Sequence, residues 1–369
     1  MITPVTRRHS IRTLVLLLCL AFPFSILLQS QTATNTAGTS LLPGPKPPDA
    51  PLEWKQLVGI YDYSSLNRPN VKMIFLEDGG RLFMQPESTT GKREEIHEAK
   101  GNVLISDPNS DGRTYAYGEQ RNATGTVISF SYLVETFTRI DPGADPTHYF
   151  HITPSKPIAQ LRAAALAAKP PAEAGPFRKP DLVELAPLDP AIHLDIRYAQ
   201  SNNFLSTPLY TQARAFLQRP AAEALLRVLH KLHPLGYGLL IHDAYRPWYV
   251  TKMFWDATPP EDHKFVADPA EGSRHNRGCA VDLTMYDLAT GKPVEMTGLY
   301  DEMSIRSYPD FPGGTSLQRW HRDLLRRAME SEGFTVYSDE WWHFDYKDWK
   351  QYPILNVPFE QVPRTAPHS

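Results

Sequence analysis

Four side chains near the C-terminal end of the sequence are of the types that hold and use a metal ion. His275 and Asp282 stand seven apart in SRHNRGCAVDLTM (273–285), and Glu340 and His343 stand three apart in EWWHFDY (340–346). Two histidines and one carboxylate fill three positions of a tetrahedral zinc site and leave the fourth for water. A glutamate that is not a ligand can take a proton from that water, while the metal lowers the water's pKa and polarises a scissile carbonyl. Each pair alone is a weak signal. A His and an Asp seven apart arise by chance, and Trp341, Phe344 and Tyr346 read equally as core, with Glu340 and His343 on the surface. The same ligand set also describes the facial triad of non-haem iron oxygenases. Those typically carry His-x-Asp, whereas six residues intervene here, and Glu340 has no task in that chemistry, so zinc is preferred.

The spacing makes a geometric demand. Residues three apart on a regular strand face opposite sides, so Glu340 and His343 reach one metal only if the strand bends or bulges between them. Gly278, between His275 and Asp282, permits the tight backbone that would bring those two together. A third element is IHDAYRP (241–247), where Arg246 follows a strand tip. Its guanidinium could hold a carboxylate or meet a developing oxyanion; a salt-bridged surface arginine is the plainer reading.

The elements that must carry these residues fall in 180–360. PAAEALLRVLHKLHPLG and SLQRWHRDLLRRAMESEG have helical apolar spacing, the first closed by Gly236, the second opened by Ser316 and closed by Gly333. YGLLIHD, RGCAVDLTMYD and FTVYSDEWWHFDY read as strands, which gives an α+β domain with a largely antiparallel sheet flanked by helices. Residues 52–155 carry many short apolar runs, including a hairpin signal at Asp78-Gly79-Gly80, and predict a small all-β barrel or sandwich. Proline-rich segments at 34–51 and 156–179 read as linkers, the second with a short Ala-rich helix at 159–169. Arg7, Arg8 and Arg12 before the apolar run 14–28 give 1–33 the order of a secretory signal, or of a short anchor, and so predict an exported, extracytoplasmic protein. Past that signal only Cys279 remains, so no intrachain disulfide is expected. A net charge of −3 over 369 residues gives no electrostatic reason to expect nucleic acid.

Several other features take plain readings. His148 and His151 lack a visible third ligand and read as structural or surface residues, and IHEAK (96–100) lacks the second histidine of a zinc helix. Asn122-Ala123-Thr124 is a sequon of a kind that chance supplies. Cys279, between Gly278 and Ala280, reads as a small packed residue.

Taken in order, the motifs resemble the D-alanyl-D-alanine dipeptidases of the VanX type, zinc peptidases related to the D-Ala-D-Ala carboxypeptidases. The resemblance is carried by Ser273-Arg274-His275 through Asp282, by Glu340-Trp341-Trp342-His343, by 236–247, and by Asp195–Ala199 with Asn202–Phe204; it covers roughly 180–355. It implies that His275, Asp282 and His343 bind one zinc ion, that Glu340 is the general base and then the proton donor, and that Arg246 stabilises the oxyanion. It further implies that Ser273 and Tyr210 bind the dipeptide backbone or carboxylate and that Asp301 holds the free ammonium. The sequence departs from the family at two places: Leu205-Ser206 stands where a glycine usually follows NNF, and EMSIRSYPDFPGG (302–314) lacks the usual acidic-Arg-Ser-His order. The expected activity is zinc-dependent hydrolysis of D-Ala-D-Ala or a closely related dipeptide. The alternatives are a zinc D,D-carboxypeptidase or endopeptidase on peptidoglycan stem peptides and a non-catalytic cell-wall binding module. An acid at the closed end of the pocket favours the dipeptide, and a base beside the ligands argues against a binding module.

Overall fold

The computed structural model describes residues 41–363 apart from 66–67, 89–91, 100–102, 107–114, 134 and 144–149. The basic-then-apolar N-terminus and His148 lie outside the described residues. Within them, no helix is long and apolar enough to cross a membrane.

The all-β part is a closed barrel. Its strands are Gly59–Ser65 (β1), Arg68–Asp78 (β2), Arg81–Pro86 (β3), Glu94–Ala99 (β4), Val103–Ser106 (β5), Ala116–Arg121 (β6), Val127–Tyr132 (β7) and Glu135–Arg139 (β8), and β8 returns to pair with β1. Alternation puts Tyr61, Phe75, Leu82, Ile96, Leu104, Phe130 and Phe137 inside as one core. Closure removes the edges that a sandwich of such short strands would have to protect. Helix Leu52–Leu57 (α1) puts Leu57 into that core, and Arg139 ties it down by donating to the carbonyls of Gln56, Leu57 and Val58.

The following part carries Ile158–Ala167 (α2), Leu182–Glu184 (β9), Ile192–Leu194 (β10), Phe216–Gln218 (β11), Arg219–Leu232 (α3), Tyr237–Asp243 (β12), Trp248–Ala257 (α4), Ala280–Asp287 (β13), Ser316–Glu330 (α5), Phe334–Tyr337 (β14) and Glu340–Tyr346 (β15). Five strands form a sheet in the order β10-β12-β13-β15-β14. Only the β10–β12 pair is parallel, so the sheet is largely antiparallel as expected. Helices α3 and α5 bury their apolar faces, Leu225, Val228, Leu229 and Leu232 on one and Leu324, Leu325 and Ala328 on the other, in the core that includes the strands' Leu239, Ile241, Val281 and Leu283. The cap of α5 is Thr315, not the adjacent Ser316: its hydroxyl accepts from Gln318 N while the Gln318 side chain accepts from Thr315 N, a full capping box. Helix α4 was not expected, because WYVTKMFWDA is aromatic and β-branched enough to suit a strand.

The described parts of the proline-rich segments, 41–51 and 156–179, lie against this body. Trp320 Nε1 donates to Gly44 O (3.0 Å), and Glu173 accepts from Arg277 Nη2 and Ile354 N, both 2.6 Å. The barrel seats on the segment between β13 and α5 through Phe311, which joins Ile60, Ile74, Leu76 and Phe83 in a separate apolar cluster.

Burial on α5 has a titration consequence. His321 is 5% exposed, between Tyr237 and Glu295 O, and burial lowers its pKa to about 4, against the opposing pull of the Glu295 carbonyl. The unfolded chain therefore binds a proton between pH 6.5 and 4 that the native chain does not. Its contribution to stability is whole above pH 6.5 and falls as pH drops, by up to about 3 kcal/mol. Urea unfolding at stepped pH values should show wild type losing more stability than His321→Phe across that window; parallel curves would contradict it.

Candidate metal centre

The sheet register assembles the site. Asp282 on β13 stands directly opposite His343 on β15, and Asp243 on β12 stands opposite Asp282 after a register shift between Ile241 and Asp243. Directly opposed residues share a face of the sheet, so these three line up across its end. His275 comes from the single 3₁₀ turn His275–Arg277 ahead of β13. That turn is closed by Gly278 at φ +66°, where a Cβ would sit 2.6 Å from Leu182 Cδ2. The left-handed backbone is what favours glycine there, and a Cβ would also displace the tip of Leu182.

Glu340 joins them because β15 is bulged. Val336 on β14 pairs with Phe344, but its neighbour Tyr337 pairs with Glu340, so 341–343 have no counterpart on β14. The bend that the spacing demanded lies between Glu340 and His343 and brings Glu340 Oε2 to 3.7 Å from His343 Nδ1. Trp341 and Trp342, both buried and packed edge to face at 5.4 Å, anchor the bulge.

Three donor atoms converge. His275 Nε2 is 3.1 Å from His343 Nδ1 and 3.3 Å from Asp282 Oδ1, and His343 Nδ1 is 3.0 Å from the same oxygen. The second nitrogen of each ring is already committed. His275 Nδ1 donates to Ala244 O at 2.7 Å, and His343 Nε2 donates to Asp345 Oδ1 at 3.0 Å. In the neutral rings the converging nitrogens therefore carry lone pairs, and both face a buried carboxylate oxygen that makes no hydrogen bond. Such a triangle is repulsive unless a cation enters it. Tetrahedral bonds of about 2.0 Å separate donors by roughly 3.3 Å, which is the observed spacing. The donor set thus fits a metal ion. Titration points the same way: burial opposes the charged form of His343, yet the carboxylates of Asp282 and Asp345 lift its pKa to about 10. Asp282 is lowered despite burial by His275 and His343. The site draws positive charge, whether proton or metal.

Around this centre lies a cavity of about 160 Å³ whose lining includes Arg246, Ser273, Asp282, Asp301, Glu340 and His343. Arg246 is buried and held by Asp243 Oδ2 through Nε (3.0 Å) and Nη2 (2.7 Å), with its guanidinium over Phe254 and Tyr198. Ser273 Oγ accepts from His275 N at 3.2 Å. Tyr210 is not among the lining residues; its hydroxyl donates to Asp243 Oδ1 at 2.6 Å, so it touches the site through Asp243. Burial, together with the Asp282 carboxylate, raises Asp301 to about 7. Burial raises Glu340 to about 8, with Asp282 and Asp301 adding to the rise and His343 opposing it. Cys279 is fully buried, its Sγ 3.6 Å from Arg277 O and its thiol pushed up to about 12 by burial, as suits a packed residue.

Sequence reasoning missed the residues that hold the others. Asp243 anchors Arg246 and Tyr210, Asp345 orients His343, Tyr300 donates to Asp282 Oδ2 (3.0 Å), and Tyr198 donates to Asp301 Oδ2 (2.9 Å). Asp243 and Asp345 were visible as acids beside predicted strand ends; nothing local marked the two tyrosines. The missing glycine after NNF also finds its account. Ser206 itself adopts φ +54°, and its hydroxyl is bonded to His151 Nδ1 at 2.5 Å.

The family described as D-ala-D-ala dipeptidase matches residues 178–364. A protein of Escherichia coli K12 named D-alanyl-D-alanine dipeptidase is 37% identical over 179 residues, covering 48% of this chain and 91% of the relative. Proteins of the same name from Enterococcus faecium and Streptomyces coelicolor are 35% and 32% identical, covering 92% and 87% of their lengths and 45% and 42% of this chain.

His275→Ala should abolish stoichiometric metal binding, as read by elemental analysis after dialysis. Asp345→Leu removes the acceptor of His343 Nε2, together with the Arg274 ion pair at 3.2 Å, and should weaken metal affinity roughly 10- to 100-fold in chelator competition. Wild-type affinity in both would dismantle the site.

Proposed function

The chain belongs to the D-Ala-D-Ala dipeptidase family of metallopeptidases, and we propose that it hydrolyses D-alanyl-D-alanine or a closely related dipeptide with a zinc ion held by His275, Asp282 and His343. The observation that carries this reading is the triangle of donors beside a non-ligand glutamate. A zinc ion bound there lowers the pKa of a water and polarises the scissile carbonyl.

The chain's own residues supply the rest. Glu340 accepts the proton of the attacking water and passes it to the leaving amine. Arg246 spends Nε and Nη2 on Asp243, which fixes the plane of the guanidinium and leaves Nη1 for the oxyanion. Asp301, oriented by Tyr198, receives the substrate ammonium, and Ser273 lies where the peptide backbone passes. A cavity of about 160 Å³ suits two small residues, well below the roughly 300–1,000 Å³ of sites for larger ligands. The apolar run at 14–28 behind three arginines supports export.

A second reading, cleavage of longer stem peptides, has one observation in its favour. A cleft of about 500 Å³ shares Glu340, Tyr337, Met303, Phe265 and Lys264 with the cavity and continues to the barrel. Zinc-loaded protein should cleave D-Ala-D-Ala and leave L-Ala-L-Ala and a D-Ala-D-Ala-terminated pentapeptide intact; cleavage of the pentapeptide alone would replace the first reading with the second. Glu340→Ala should keep its metal and lose on the order of 10²–10⁴ in kcat. Arg246→Ala should also keep its metal and lose roughly 10²–10³. Full activity of Glu340→Ala would remove it as the base.

A further inference from the structure

We infer that the barrel is part of the substrate pocket's architecture: Arg306, clamped by Asp141 and Gly143 of the barrel, is the positioning residue that holds the turn presenting Asp301. The inference rests on the reading of Asp301 as the ammonium acceptor.

Asp301 needs holding. Its backbone lies at φ +56°, a left-handed conformation that a residue with a side chain keeps only where its surroundings impose it. One restraint is the Tyr198 hydroxyl on its carboxylate. The other is the turn itself. Glu302 folds back to accept from Leu299 N (2.8 Å) and Ser304 Oγ (2.7 Å), and its carbonyl accepts from Ser307 Oγ. Arg306 Nε donates across the base to Thr297 O at 3.1 Å. A Cβ on Gly298 would meet Arg306 O at 2.7 Å, so the two limbs of the turn touch with no room for a side chain.

The far side of the Arg306 guanidinium is anchored outside the catalytic body. Nη1 donates to Asp141 Oδ1 at 2.8 Å and Nη2 to Gly143 O at 3.0 Å. Asp141 is itself buried and fixed by Arg139 (2.9 Å), by Gly143 N (2.6 Å) and by Ile60 N. Asp141 is thus fixed to residues of β1 and β8, and Gly143 is tied to Asp141. Downstream the contact continues. Ile305 packs on the cluster of Ile60, Ile74, Leu76, Phe83 and Phe311. Glu77 N donates to Gly314 O (3.1 Å), and the Glu77 carboxylate accepts from Ser316 N (2.7 Å) at the start of α5. The segment from Asp301 to α5 therefore runs along the barrel. It is also where the sequence leaves the family's acidic-Arg-Ser-His order, and the residue in front of Arg306 is the apolar Ile305 that the barrel covers.

The test uses the full chain with metal bound. Arg306→Met keeps the aliphatic stem and leaves Asp141 paired with Arg139; Glu302 loses the cation 3.5 Å away but keeps its bonds from Leu299 N and Ser304 Oγ, and Arg306→Lys restores the charge. It should raise KM for D-Ala-D-Ala roughly tenfold with kcat within about twofold and unchanged metal content, and Arg306→Lys should recover most of the loss. A purely structural role would reduce the active fraction instead; lower kcat at unchanged KM would overturn the inference. Hydrogen exchange separates this from the substrate assignment. Amides of 299–307 should exchange faster in Arg306→Met while the barrel strands stay protected, whichever dipeptide the enzyme accepts. Unchanged exchange there would overturn the inference, whereas a wild type inert toward D-Ala-D-Ala would overturn only the proposed substrate.

Discussion

Everything in the catalytic body is organised around a repulsion. Two imidazole lone pairs and a carboxylate oxygen meet within 3.0–3.3 Å in a buried pocket. In low dielectric such an arrangement draws in positive charge, a proton on His343 or a metal ion, and other interactions prevent each group from turning away. Ala244 O and Asp345 fix the two rings, Tyr300 fixes Asp282 through its other oxygen, and the β13–β15 register fixes the distance between Asp282 and His343. A cation converts the repulsion into binding. The restraints are what a metal centre needs in order to be formed before the metal arrives.

The same logic extends outward to groups that do not touch the metal. Asp243 lies one strand away from Asp282 and would repel it; its charge is instead neutralised by Arg246, with Tyr210 on its second oxygen. Among the described residues Glu340 and Asp301 are paired with no guanidinium, and burial, with the Asp282 carboxylate adding to it, raises their proton affinities. The carboxylates of this small region thus differ: His275 and His343 hold Asp282 low, whereas burial raises Glu340 and Asp301.

How much of this was legible in the sequence depended on whether a signal was local. The ligands, Glu340 and Arg246 could be picked out because their residue types sit in short, unusual motifs. The bulge in β15 could be demanded in advance, because strand alternation forbids the alternative. The barrel's strands and the helices α3 and α5 followed from period and turn residues. What stayed hidden is non-local. Tyr198 and Tyr300 reach their carboxylates from 103 and 18 residues away. Helix α4 is decided by tertiary packing of an aromatic run, and closure of the barrel by the pairing of β1 with β8 across some 75 residues of chain.

The two places where the sequence departs from the family show how a changed residue is absorbed by its neighbours. At Ser206 the left-handed backbone persists without glycine, and the hydroxyl that comes with it is taken up by His151, from the segment joining barrel and body. At Ile305 an apolar side chain sits next to the turn that carries Asp301, covered by the apolar surface that the barrel supplies. Both substitutions would be unfavourable on an isolated catalytic body: one strains a backbone, the other exposes an aliphatic chain. Both are matched by contacts from residues before 180, outside the part that corresponds to the relatives. The barrel and the segment after it thus touch the body at both places, and at the turn that carries Asp301 the contact is charged as well as apolar, through Arg306, Asp141 and Gly143.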